Sequence, residues 1–227
     1  MVFSIVSGFG LTGSNNWGDV GIVTSKKNVL AVGAHPDDIE LGCGGTIRKH
    51  ILKGDEVYYV IASLGEKSGD KNKRKSEVMA AAELMGIRDV FFLNLPDTMI
   101  MHNGITVSLL DEYMEKIKPE IVYVHSPRDY HQDHANIAKS TLSASRGMKN
   151  NIFLYETPST TIEFRPIAYS DISNTFEHKL KCIERYVTQN TKEYMEKEAI
   201  MGLAKVRGRT IGVKFAEAFE VARLFIL

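Results

Sequence analysis

The sequence predicts an α/β fold built on a central, mostly parallel sheet flanked by helices. From Asn28 onward, short apolar runs rich in β-branched and aromatic residues alternate with longer runs whose apolar residues recur at three and four spacing. That is the rhythm of βαβ units feeding a parallel sheet. With 227 residues and 44% hydrophobic content, the chain can bury one sizeable core.

The expected strands are NVLAVGA (residues 28–34), EVYYVIAS (56–63), VFFLNL (90–95), IVYVHS (121–126) and IFLYE (152–156), each bounded by polar or turn residues. Helices are expected over residues 45–53, 73–85, 107–117 and 133–146, where the apolar residues fall on one face. The second stops at Gly86, a favourable residue just past a helix C-terminus. Beyond Glu156 the rhythm changes: residues 174–189 and 192–206 read as helical, and residues 215–227 are apolar enough to be buried, as strand or helix. Residues 1–27 read as an extension or arm ahead of one domain over residues 28–227.

Lys plus Arg and Asp plus Glu both number 28, so no basic field exists to draw in nucleic acid or an anionic membrane. No apolar run is long enough for a membrane helix, and the opening residues lack the positive charge of a secretory signal. The two cysteines, Cys43 and Cys182, form no C-x-x-C pair. These features lead to the expectation of a reduced, cytoplasmic protein without membrane insertion.

Two segments carry chemistry. AHPDDIELGCGGT, residues 34–46, begins where the first strand ends and leads into a helix; HSPRDYHQDHANI, residues 125–137, does the same after the fourth strand. In open parallel sheets ligands gather outside the carboxyl ends of the strands, so both clusters stand at the active edge. GCGG is not the dinucleotide fingerprint, and the acidic cluster beside it would repel a pyrophosphate. Catalytic zinc takes three ligands from His and Asp or Glu and keeps a position open, which the two loops can supply together. Singly, a His at a strand end is ordinarily a hydrogen-bonded polar residue, and an Asp before a helix an N-cap. Two such clusters at two strand ends point instead to a shared metal or catalytic site.

The segments resemble the PIG-L / LmbE-like family of zinc-dependent N-deacetylases, whose motifs A-H-P-D-D-x-x-x-G-C-G-G-T and D-x-H-x-D-H are both present. SLGEKSG (63–69), Arg74-x-x-Glu77 and RGRTIGVKFAEAF (207–219) match as well. The resemblance implies a single Rossmann-like α/β domain that hydrolyses the N-acetyl group of an N-acetylglucosamine-type sugar, and a small-molecule amino-sugar substrate. It also implies a homo-oligomer. Carried over, the metal ligands fall on His35, Asp38 and His134, the catalytic base on Asp37, and the second active-site histidine on His131. Adjacent Asp37 and Asp38 point in different directions, so one can bind the metal while the other reaches a water. Asp133 and Asp129 are expected to orient the imidazoles, with Asp133 favoured as the partner of His131. Arg74 matches an arginine at the substrate mouth, where it suits sugar hydroxyls, a carboxylate or a phosphate; a helix pair with Glu77 is its alternative. Asp129 and Glu66 complete the substrate-binding candidates. Zinc is the expected metal, though Fe(II) and Co(II) suit the same donors. Asp129 stands where some members place a tyrosine, and Ile39 separates the aspartates from Glu40, a variant that keeps both.

Overall fold

The computed structural model describes residues 26–225, so the arm expected over residues 1–27 lies almost entirely outside the described residues. Strands β1 (Asn28–Gly33), β2 (Glu56–Ile61), β3 (Asp89–Phe92), β4 (Ile121–His125), β5 (Asn151–Tyr155), β6 (Ala168–Asp171) and β7 (Ala216–Arg223) form one sheet in the order β3-β2-β1-β4-β5-β7-β6. From β3 to β5 every neighbouring pair is parallel. β7 inserts antiparallel between β5 and β6, so the expectation of a mostly parallel sheet holds, with an antiparallel margin. The helices are α1 (Asp38–Leu52), α2 (Lys71–Met85), α3 (Gly104–Ile117), α4 (Gln132–Ala144), α5 (Phe176–Ile183) and α6 (Lys197–Ile211).

β1 shows how the layers are built. Val29 and Ala31 face a core shared with α1, α2 and α5, while Leu30 and Val32 face a second core under α3 and α4. A strand covered on both faces needs a continuous apolar run, which is what NVLAVG supplies. Lys27, just before the strand, donates its N–H to Asp55.

The chain builds outward from β1 to β3 and then returns to place β4 on the other side of β1. Strand order therefore reverses between β1 and β4, and the loops leaving their carboxyl ends diverge into a crevice. Both sequence motifs sit at that point.

Several elements differ from the sequence expectation in their bounds or kind. α1 begins at Asp38 rather than near Gly45, because the glycine-rich segment is itself helical. A Cβ at Gly42 would overlap the Tyr155 ring, and one at Gly45 would come within 2.8 Å of Ile172, so the glycines let α1 press onto the sheet. The helix absorbs this with one irregular residue, Cys43 (φ −144°). α5 ends at Ile183, short 3₁₀ turns occupy Val187–Gln189 and Glu193–Met195, and α6 continues to Ile211. The edge strand β6 escaped prediction because its four residues, AYSD, lack apolar alternation. Within residues 215–227, Ala216–Arg223 form strand β7, whose buried Glu217 and Glu220 interrupt its apolar pattern.

Candidate active site

The turn after β1 places two carboxylates back to back. Asp37 takes the left-handed conformation (φ 90°) at the position just before α1, and Asp38 is the first residue of the helix. Such backbone is strained for a non-glycine residue and concentrates at functional sites. Arg74 of α2 donates from Nη2 to the Pro36 carbonyl at 3.0 Å and so braces the turn. The guanidinium is buried beneath Gly65, whose positive φ (68°) and lack of a Cβ admit it. Glu77 does not pair with Arg74; it accepts the backbone N–H and hydroxyl of Thr188.

Asp38 lies at the centre of the imidazoles. Its Oδ2 accepts the His35 backbone N–H at 2.7 Å and lies 3.5 Å from His35 Nδ1, while Oδ1 lies 3.4 Å from His134 Nε2. Burial alone would push this carboxyl up, but His134 and His125 outweigh it and hold the group well below the usual carboxylate range. Asp37 shifts the other way. Burial, with repulsion from Asp38, raises it to about 8 against the pull of Arg74 and His35. Its Oδ2 has no hydrogen-bond partner, the nearest cation being Arg74 Nη2 at 3.8 Å.

Each imidazole is oriented from behind. His134 Nδ1 faces Asp129 Oδ2 and Ser159 Oγ, both at 3.2 Å. Asp129 also accepts the His131 N–H and the Thr157 hydroxyl, and the neighbouring His134 helps hold its carboxyl well below the ordinary range despite burial. His35 Nε2 meets Asp97 Oδ1 at 3.1 Å and Asp133 Oδ2 at 3.2 Å. Burial opposes protonation of His35, but Asp133, Asp38 and Asp97 together hold its pKa well above 6.5. Hydrogen bonding from His35 brings Asp97 down to about 2. His131 caps α4, its Nδ1 accepting the Asp133 N–H at 3.2 Å. That bond assigns the neutral ring's proton to Nε2, leaving a donor for the cavity it lines. Burial and the neighbouring His134 and His35 lower the pKa of His131.

The expected pairing of Asp133 with the His131 ring is not what the side chains form. The Asp133 carboxylate accepts the backbone N–H groups of Thr98 and Ile100 and contacts His35, strapping the loop after β3 onto α4. Asp129 stands behind His134 rather than in the cavity wall. Glu66 accepts the Asp97 N–H and the Ser63 hydroxyl and so supports that loop. Arg74 does line the cavity, which holds about 380 Å³.

Sequence reasoning overlooked Asp97 and His125. Asp97 follows β3, the strand end without a histidine, and so drew no notice. His125 opens the second motif but is fully buried, its Nε2 accepting the Ala34 N–H and lying 3.1 Å from Asp38. Burial and His134 lower its pKa to about 4. Gln189, Lys192 and Tyr194 also line the cavity, supplied by turns with no motif to mark them.

Among the described residues, three groups have donor atoms close enough for one ion: His35, His131 and His134; Asp38, His125 and His134; and His35, Asp97 and Asp133. The set His35, Asp38 and His134 is not itself one of the three, but Asp38 Oδ2 lies 3.5 Å from His35 Nδ1 and its Oδ1 3.4 Å from His134 Nε2, each near the roughly 3.4 Å between two ligands of a tetrahedral zinc. Those two histidines and Asp38 line the cavity, whereas His125 and Asp133 are enclosed behind them.

The family model for GlcNAc-PI de-N-acetylase, PIG-L, matches residues 30–145. The uncharacterized deacetylase YaiS of Escherichia coli is 31% identical over 169 residues, which cover 71% of this chain and 91% of that protein. The 4-oxalmesaconate hydratase of Pseudomonas putida is 26% identical, with 85% of this chain and 86% of that protein covered. Among solved structures, the N,N'-diacetylchitobiose deacetylase of Pyrococcus horikoshii superposes with a TM-score of 0.75 at 25% identity, covering 87% of this chain and 84% of that one.

Proposed function

The chain belongs to the PIG-L family, and on that premise we propose that it is a zinc-dependent hydrolase of the N-acetyl group of an N-acetylglucosamine-type sugar. Water adds to the amide carbonyl, the carbon–nitrogen bond breaks, and acetate and a free amine are released. The observation that carries this reading is the unpartnered Oδ2 of Asp37, a buried carboxylate oxygen beside the imidazole cluster. A module that only held a metal or a sugar would have no use for it.

In this reading His35, Asp38 and His134 hold the ion, and Asp37 takes the proton from the attacking water. Zinc fits two nitrogens and one carboxylate, as do Fe(II) and Co(II). When bound, such an ion supplies Lewis acidity that polarises the carbonyl and acidifies water. Asp37 stands beside Asp38 on a turn whose backbone is held by Arg74 on the Pro36 carbonyl. Asp37 passes that proton on to the departing amine, the neutral His131 ring donates a hydrogen bond from Nε2 to the charge developing at the reacting amide, and Asp133 positions His35 and the loop that carries Asp97. Arg74 lines the cavity and so can meet the substrate there.

The test is acetate release from a panel of N-acetylated sugars by protein of verified metal content. Turnover on at least one is expected; no acetate from any of them would overturn the reading. The hydratase relative supports a second reading, addition of water to a conjugated alkene by the same base. Loss of ultraviolet absorbance from an unsaturated carboxylic acid, without acetate release, would favour it.

A further inference from the structure

The cavity has a buried floor of carboxylates, imidazoles and the Arg74 guanidinium, and two lysines nearer the surface. Asp37, Asp38, Asp97, His35 and His134 are buried, whereas Lys67 is exposed and Lys192 half-buried. Lys67 lies in the loop between β2 and α2, and Lys192 in the turn before α6. Among the described residues the ion-paired lysines are Lys26 and Lys179, so the ammonium groups of Lys67 and Lys192 are unanswered.

The backbone that carries each lysine is fixed at the cavity. The Lys67 N–H is held at 2.9 Å by Asp97, the carboxylate that also contacts His35. The backbone N–H of Lys192 donates to the Gln189 carbonyl at 3.0 Å, and its ammonium stands 5.9 Å from the Tyr194 ring centre. Gln189 is fully buried and reaches across to the first loop, donating from Nε2 to the Ser68 carbonyl at 3.3 Å. That strut ties the two lysine-bearing segments together along one wall. Gln189 Oε1 is left without a partner at the same cavity.

We infer that the substrate is an anionic amino sugar whose carboxylate or phosphate binds between Lys67 and Lys192 while its acetamido group faces Asp37 and Asp38. The reaction named here rests on the deacetylase reading above; the anion site rests on the lysines. The ammonium pair at the outer wall favours the orientation in which the anion lies there and the acetamido group reaches the floor. Carboxylate and phosphate both suit a pair of ammonium groups.

The test uses the full-length, metal-loaded protein and three substrates: methyl N-acetylglucosaminide, N-acetylglucosamine 6-phosphate and N-acetylmuramic acid. One of the charged sugars should exceed the neutral one in kcat/KM by about tenfold or more. The Lys67→Ala/Lys192→Ala double variant should bring that ratio close to one, and a Lys67→Arg/Lys192→Arg variant should keep it. The favoured charged sugar identifies the group as phosphate or carboxylate. A neutral sugar turned over as well as both charged ones, or a preference that survives the alanine double variant, overturns the inference. Calorimetric titration with glucose 6-phosphate against glucose separates the two readings. Lysine-dependent binding of the phosphate sugar without acetate release from any substrate would refute the deacetylase and leave the anion site standing. Acetate release with no charge preference would do the reverse.

Discussion

Asp129 and His134 form a carboxylate–imidazole pair with Oδ2 3.2 Å from Nδ1, and the opposite nitrogen of that ring faces Asp38. The carboxylate fixes which nitrogen of His134 carries the proton and leaves Nε2 free to act as a ligand. Asp129 is itself held by the His131 N–H and the Thr157 hydroxyl, so its position is determined before any ion arrives.

Replacing Asp129 by alanine should weaken metal binding by roughly 10–100-fold, the usual effect of removing such an outer partner. Competition with a chromophoric chelator measures it. Unchanged affinity would show that Ser159 Oγ suffices to orient His134.

Asp37→Asn keeps a residue that tolerates the left-handed backbone, so the turn and the metal affinity should survive. Removing the base should lower kcat by about 10²–10⁴-fold. Parallel assays of acetate release and metal content check it; loss of bound metal together with activity would place Asp37 among the ligands instead.

Glu40 gives the fold a pH dependence of its own. Burial lifts its carboxyl from 4.5 to about 7, although Tyr186 donates a hydroxyl hydrogen bond to Oε2 at 2.8 Å. The folded pKa is raised, so the associated stability is complete below about pH 4.5 and is lost as pH rises through about 7. The full loss is about 3 kcal/mol. Metal-free protein should therefore melt at a lower temperature at pH 8 than at pH 5, and Glu40→Gln should flatten that difference. An identical slope in the variant would sink the assignment.

Gly42→Ala should destabilise the protein by about 2–3 kcal/mol, the cost of forcing a methyl into a filled core. The added carbon would overlap the Tyr155 ring, which cannot move easily because its hydroxyl donates to the Val32 carbonyl at 2.8 Å. Denaturant titration of the two proteins reads the difference. Gly54, where a Cβ would meet nothing within 4 Å, marks by contrast a glycine without a packing role, though its positive φ (87°) still favours glycine.

Local sequence determined the five parallel strands, the α/β class, and the placement of His35, Asp37, Asp38, His131 and His134 at two strand ends. Each of those features is written in a single stretch of chain: apolar runs bounded by turns, and polar clusters following them. Tertiary structure alone decided the partners. Asp133 went to His35 rather than His131, because the N–H groups of Thr98 and Ile100 in a loop 30-odd residues upstream claim its carboxylate. Asp97 joined the site from that same loop, and Gln189, Lys192 and Tyr194 came to the cavity from turns beyond the last expected strand. The α1 boundary moved for the same kind of reason: Gly42 lies ahead of the helix expected from residue 45, and the close approach of Tyr155 and Ile172 explains why a buried helix carries glycine at 42 and 45. Periodicity records what one segment needs from a core, whereas hydrogen-bond partners and close contacts depend on which other segments arrive beside it.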